Sequence, residues 1–169
     1  RDGSVWLGTS EGLLNVKAGK PDRFTDDPEL RRWPRVKPVI EDRQGRVWAG
    51  LLAAGLHRIE DGVLRHVRDP WPVDPRRFVR ALHEDEEGTI WVGTDQGLLQ
   101  HHHEGGVRLF TMENGLSANT VLGVLSEPDH VLWVGTEGGG LNRFRDGRFR
   151  AIHKAEGLLH ETVWPLKVE

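Results

Sequence analysis

Three groups of residues carry side chains able to do chemistry. His101, His102 and His103 are consecutive, and imidazoles in close array can hold zinc. On a strand, however, successive side chains point to opposite faces, so His101 and His103 could share a metal while His102 could not. An exposed outer-strand tract accounts for the three better, and no metal is assigned to them. Asp42 and Asp85 each stand three residues before a glycine, Gly45 and Gly88. That spacing reads as a turn in which Asp bonds the backbone and Gly supplies positive φ, whereas a calcium loop needs more oxygen ligands and a closing Glu. The third group lies in two loop-like segments, "TDDPELRRWPR" at 25–35 and "RDPWPVDPRRF" at 68–78. They carry Arg31, Arg32, Trp33 and Arg35, then Trp71, Arg76, Arg77 and Phe78. Aromatic faces beside guanidinium forks suit an acidic or neutral sugar, through stacking and bidentate bonds. The competing reading has Trp33 and Trp71 pinning proline-rich loops while the arginines pair with Asp26, Asp27, Glu29 and Asp74. Asn119 and His160, in the corresponding segments 113–120 and 155–162, complete the candidate ligand-binding set.

Catalysis has less support. No G-x-S-x-G elbow, P-loop or H-E-x-x-H is present, so no catalytic residue is assigned and no cofactor is expected. Sites assembled from separate loops escape such motifs, which leaves lyase or hydrolase activity as a minor alternative. The formal charge of −3, from 23 basic and 26 acidic residues, argues against a general nucleic-acid or anionic-membrane binder. There are no cysteines, so neither disulfides nor thiolate metal sites hold the fold. No apolar run approaches the roughly 20 residues of a membrane helix, and the opening "RDGSVWLG" lacks a signal-peptide pattern. The chain starts without Met and inside a repeating pattern, which reads as processing, trimming or excision from a longer chain.

The elements that must position these residues follow from that pattern. "SVWLGT" at 4–9, "RVWAGL" at 46–51, "TIWVGT" at 89–94 and "VLWVGT" at 131–136 place Trp6, Trp48, Trp91 and Trp133 at intervals of 42, 43 and 42 residues. Six or seven residues after each Trp stands Gly-Leu, six before it a carboxylate (Asp42, Asp85, Glu127), and twelve before it a valine (Val36, Val79, Val121). Gly3, Gly45 and Gly88 precede the Trp by three residues, and His130 replaces that glycine in the last copy. A constant period of this length is the signature of a repeat architecture. Because Trp recurs in every copy, it is expected to fill space between sheets, with the following Gly permitting close approach and Thr94 capping a turn.

Within a unit, "VRALHE", "TIWVGT", "GLLQHHH" and "VRLFTM" read as four short strands separated by turns. "TIWVGT" is apolar on both sides, as in a strand covered on both faces. Four strands per unit of about 42 residues match a β-propeller blade. The expected fold is therefore all-β, a propeller of four blades with four antiparallel strands each. The units run about 1–35 plus 163–169, 36–78, 79–120 and 121–162. Val163 would fall twelve residues before Trp6 if Glu169 were followed by Arg1. The C-terminal strand is thus expected to complete the first blade; a four-unit fragment cut at a repeat boundary, or an assembly of such units, keeps the same phase.

The composite pattern V-x-x-(I/L)-x-E-D-x-x-G-x-(I/V)-W-V-G-T-x-x-G-L, followed by an E-x-G-L loop and best represented at residues 79–121, resembles the two-component regulator propeller repeat. The resemblance implies a sensor domain of a bacterial membrane receptor, placed in the periplasm or outside the cell and joined to a membrane only through its parent. It implies an oligosaccharide or other small extracellular ligand, and further blades or a second copy as partners, since the family usually builds seven blades. The segments preceding each recurring valine vary most, and by resemblance they lie on the face where propellers bind ligands. A free-standing lectin-like or scaffold module, and then a propeller lyase, are the alternatives.

Overall fold

The computed structural model describes residues 3–24, 35–52, 54–67, 78–102 and 105–164. It divides into two units, Arg1–Arg68 with Asp74–Val79, and Asp69–Val73 with Arg80–Glu169.

The first unit holds two antiparallel sheets. One is three-stranded, β1 (Val5–Thr9), β2 (Gly12–Lys17) and β3 (Lys20–Phe24). The other is four-stranded in sequence order, β4 (Val36–Glu41), β5 (Val47–Leu51), β6 (Gly55–Glu60) and β7 (Val63–His66). Leu13, Val36, Ala49, Leu51, Ala54 and Leu64 form its core, with Trp6, Val39 and Ile59 packed against it.

The second unit holds two four-stranded meanders. These are β8 (Val79–Glu84), β9 (Ile90–Thr94), β10 (Leu98–His101) and β11 (Val107–Phe110), then β12 (Val121–Glu127), β13 (Val131–Thr136), β14 (Leu141–Arg145) and β15 (Arg148–Ile152). Trp91, Leu98, Phe110, Val121, Leu132 and Val134 lie in its core, and Phe144 and Phe149 pack against it.

The Trp-x-Gly mark has a steric basis. A Cβ on Gly93 would stand 2.7 Å from Val121 Cγ1 and 3.0 Å from Ala81 Cβ. A Cβ on Gly8 would stand 2.8 Å from Val36 O, one on Gly50 2.7 Å from Val79 Cγ1, and one on Gly135 2.7 Å from Val163 O. Each glycine therefore admits the valine that opens the next copy, so the two marks specify one contact. The threonine closes the strand: Thr9, Thr94 and Thr136 Oγ1 donate to the carbonyls of Gly12, Gly97 and Gly140 at 2.8, 2.9 and 2.9 Å.

The first sheet has three described strands; of the segment assigned to its fourth, 163–169, Val163 and Trp164 are described, neither in a strand, and the remainder lies outside the described residues. Two expectations change. Strands β5 and β9 are wholly buried, but β1 is not, for Val5 and Leu7 are 54% and 44% exposed. The histidine tract does not form an exposed outer strand. β10 is the third strand of its sheet, His101 on it is buried and His102 is exposed, while His103 lies outside the described residues.

Candidate functional site

The meander sorts the turns of each sheet to two ends. The Thr-to-Gly turns and the segments leading into each recurring valine share one end; the D-x-x-G turns and the hairpins at 61–62, 102–106 and 146–147 share the other. Of the candidate ligand residues, Arg35, Phe78, Asn119 and His160 are described, and they lie at the first end. Arg31, Arg32, Trp33, Trp71, Arg76 and Arg77 lie outside the described residues. Arg35 is exposed and its carbonyl accepts the Leu52 N–H at 2.8 Å, and Phe78 is half-buried. His160 is exposed, its Nδ1 accepting the Thr162 N–H at 3.0 Å.

Asn119 serves the loop. Its Oδ1 accepts the Met112 N–H at 2.9 Å and closes the segment across a short 3₁₀ turn, Met112–Asn114. Inside that turn Asn114 Oδ1 accepts the Thr111 N–H at 2.9 Å, and Gly115 leaves it with φ of 94°. The next loop repeats the plan with other chemistry. Glu156 Oε2 accepts the His153 N–H at 2.9 Å, Gly157 has φ of 107°, and Glu161 Oε1 accepts the Lys154 N–H at 2.9 Å. Glu161 stands 42 residues after Asn119, a correspondence the sequence reading missed although the period contains it. The Lys154 N–H, followed by the bond from His153 Nδ1 at 3.1 Å, holds the Glu161 carboxyl below its ordinary range. This end thus presents an amide in one loop and a carboxylate in the next on a common frame.

At the opposite end, in the second unit, a cleft of about 240 Å³ is lined by Asp85, Glu87, Trp91, Gln100, Glu127 and Phe144 among others. Trp91 is only 3% exposed; its Nε1 donates to Asp85 Oδ2 at 2.7 Å, and its ring stacks on Phe110 at 6.1 Å and meets the edge of Phe144 at 5.9 Å. Those contacts make Trp91 a packing residue with little face left for a sugar. Nearby, His83 Nε2 accepts the Ser126 N–H at 2.9 Å with Ser126 Oγ at 2.7 Å. Among the described residues, no three His, Cys, Asp or Glu side chains converge as a metal site would require.

The repeat matches a known family. Residues 75–96 match the family model described as two component regulator propeller. That segment holds the D-x-x-G turn, Trp91 and the Gly93 contact, so the matched repeat contains the sheet's main determinants. The whole chain is similar in structure to extracellular domains from B. thetaiotaomicron. For that of a hybrid two component system the TM-score is 0.78 at 21% identity, over 98% of this chain and 23% of the other. For that of a one component system the TM-score is again 0.78 at 21% identity, over 100% and 24%. The virginiamycin B lyase of Staphylococcus aureus aligns with a TM-score of 0.68 at 17% identity, over 89% of this chain and 53% of that one. The chain spans about a quarter of the length of the first two structures. These likenesses establish an all-β propeller fold. No curated protein matches the sequence.

Proposed function

We propose that the chain is part of a ligand-sensing propeller that works outside the cytoplasmic membrane and recognises a carbohydrate or related extracellular ligand without chemically converting it. The observation carrying this reading is the repeat at 75–96 set in a fold that follows extracellular domains of signalling systems along essentially the whole chain. The ligand is placed on the loop end because the sheets repeat and the loops do not, and binding residues sit where a repeated scaffold is free to vary. Asn119 and Glu161 illustrate that freedom, since one backbone frame presents different polar groups. Ligand engagement there biases the packing of successive blades and thereby a membrane-linked output. No helix of the described residues is long and apolar enough to cross a membrane, and attachment through a parent receptor is part of this proposal.

Calorimetry against a panel of neutral and acidic oligosaccharides tests the reading, with Arg32, Trp33, Arg76 and Arg77 together replaced by alanine. Binding by the native chain and its loss in the variant are expected; undiminished binding by the variant removes the loop site. The lyase likeness supports a second reading, which turnover of a bound ligand in the same samples would favour.

A further inference from the structure

The outer strands of the fourth sheet carry an unusual concentration of charge. In the β14–β15 register Arg143 stands directly opposite Arg150, and Arg145 directly opposite Arg148. Side chains paired in this way have Cβ atoms about 5 Å apart, and like charges so placed destabilise a sheet. Guanidinium cannot relieve the repulsion by losing its proton. All four arginines line one open depression of about 430 Å³, with Phe149 and Asp146. Among the described residues the ion pair made by this group is Arg145 with Asp146, at 3.7 Å, and that Asp146 side chain is 88% exposed.

The second sheet shows how the same positions are neutralised from within. Across it run Trp48, Arg58 and Arg65 in register, as Trp133, Arg143 and Arg150 run across the fourth. Two residues beyond Arg58 stands Glu60, and two beyond Arg143 stands Arg145. Glu60 ion-pairs with Arg58 and approaches Arg65 at 3.9 Å. One carboxylate thus bridges two arginines in the second sheet, and the fourth sheet keeps both arginines but replaces the carboxylate with a further arginine.

We propose that the Arg143–Arg145–Arg148–Arg150 face is an anion site whose ligand supplies the carboxylate that Glu60 supplies in the second sheet, and that the ligand is an acidic saccharide. The anion follows from the register and the paired guanidinium groups. The saccharide rests on the reading given under Proposed function, at a site separate from the loop end. Paired arginines favour carboxylates because each guanidinium fork donates two parallel N–H bonds to the two carboxylate oxygens. Four fixed charges on a hairpin also suit successive uronate residues better than a single neutral sugar.

The experiment is calorimetry on the 169-residue chain with an oligo-uronate, its neutral counterpart of equal length, and an oligoglutamate. Binding of the oligo-uronate that weakens as salt rises is expected. Arg143→Ala with Arg150→Ala should weaken it about tenfold or more, the neutral sugar should be unaffected, and the oligoglutamate should bind at least tenfold more weakly. Arg145→Glu installs the missing carboxylate; it should abolish uronate binding while raising the melting temperature, a readout that separates a filled site from a damaged fold. Uronate affinity within twofold of native in Arg145→Glu, or in the double alanine variant, overturns the site. Equal binding of oligoglutamate overturns the saccharide. Binding of neutral sugars alone sinks this inference and leaves the loop-end reading standing, whereas loss of all sugar binding in the loop variant with the arginine face intact assigns the ligand to the loops instead.

Discussion

Asp42 shows how one carboxylate secures a turn and a tryptophan together. Its Oδ1 accepts the N–H groups of Gln44 and Arg46 at 3.0 and 2.8 Å, while Oδ2 accepts Trp48 Nε1 at 2.8 Å and Arg46 Nε at 2.5 Å. Burial alone would push its pKa up, but the bonds from Trp48 and Arg46 outweigh that and hold it below the ordinary value of 3.8. A depressed folded-state pKa means that the stabilisation is complete above 3.8 and is lost as pH falls through the lower folded value. Asp42→Ala leaves the Trp48 N–H buried without this acceptor, a loss of about 1–3 kcal/mol at neutral pH. Urea unfolding should show that difference at neutral pH and its shrinkage in acid; a gap independent of pH would mean that Asp42 acts as a neutral spacer. The sequence displayed the six-residue spacing in Asp42/Trp48 and Asp85/Trp91. The bond itself was not legible, because it requires the turn to fold the carboxylate back over the strand that follows.

Strands were the most legible elements, since period-two apolarity and turn glycines mark them locally. β8 and β11 begin where the sequence placed them, and the Gly-Leu marks open β2, β6 and, less the glycine, β10. The histidine tract was misread because alternation says which residues share a face, not which strand is outermost. β11 lies outside β10, and His101 falls on the covered face. The pairing of Gly93 with Val121 was likewise hidden, since two recurring marks 28 residues apart do not announce that they touch. It yields a prediction for the element. Gly93→Ala places a methyl 2.7 Å from Val121 Cγ1 and 3.0 Å from Ala81, so neighbouring strands must separate. Overpacking of this kind costs about 1–3 kcal/mol. Adding Val121→Ala should restore part of the loss by clearing the nearer contact, and a double variant no more stable than the sum of the single losses would show that the contact is not the cause.

For the whole molecule, the informative feature is a repeated face that is covered in three sheets and open in one. Val5 and Leu7 occupy the positions of Val47 and Ala49, Ile90 and Val92, and Leu132 and Val134. Those six are at most 4% exposed, against 54% and 44% for Val5 and Leu7. In β5 and β13 the cover is another sheet of the same unit, Ala49 sharing a core with Leu13, and Leu132 and Val134 sharing one with Trp91, whereas on β1 two large aliphatic side chains stand in water. We propose that a further blade or a second copy of the chain covers that face, and the second can be tested on the isolated 169-residue chain. Sedimentation velocity should therefore show a mass that rises with concentration. Val5→Lys with Leu7→Lys should hold the chain at monomer mass with its melting temperature nearly unchanged, because the face is already solvated in the monomer. The same pair of changes at Ile90 and Val92 should unfold it, since lysines there would be buried without partners. A native chain that stays monomeric at all concentrations would mean that the open β1 face is not a joint between sheets, and the argument from the three covered copies to the fourth would fail.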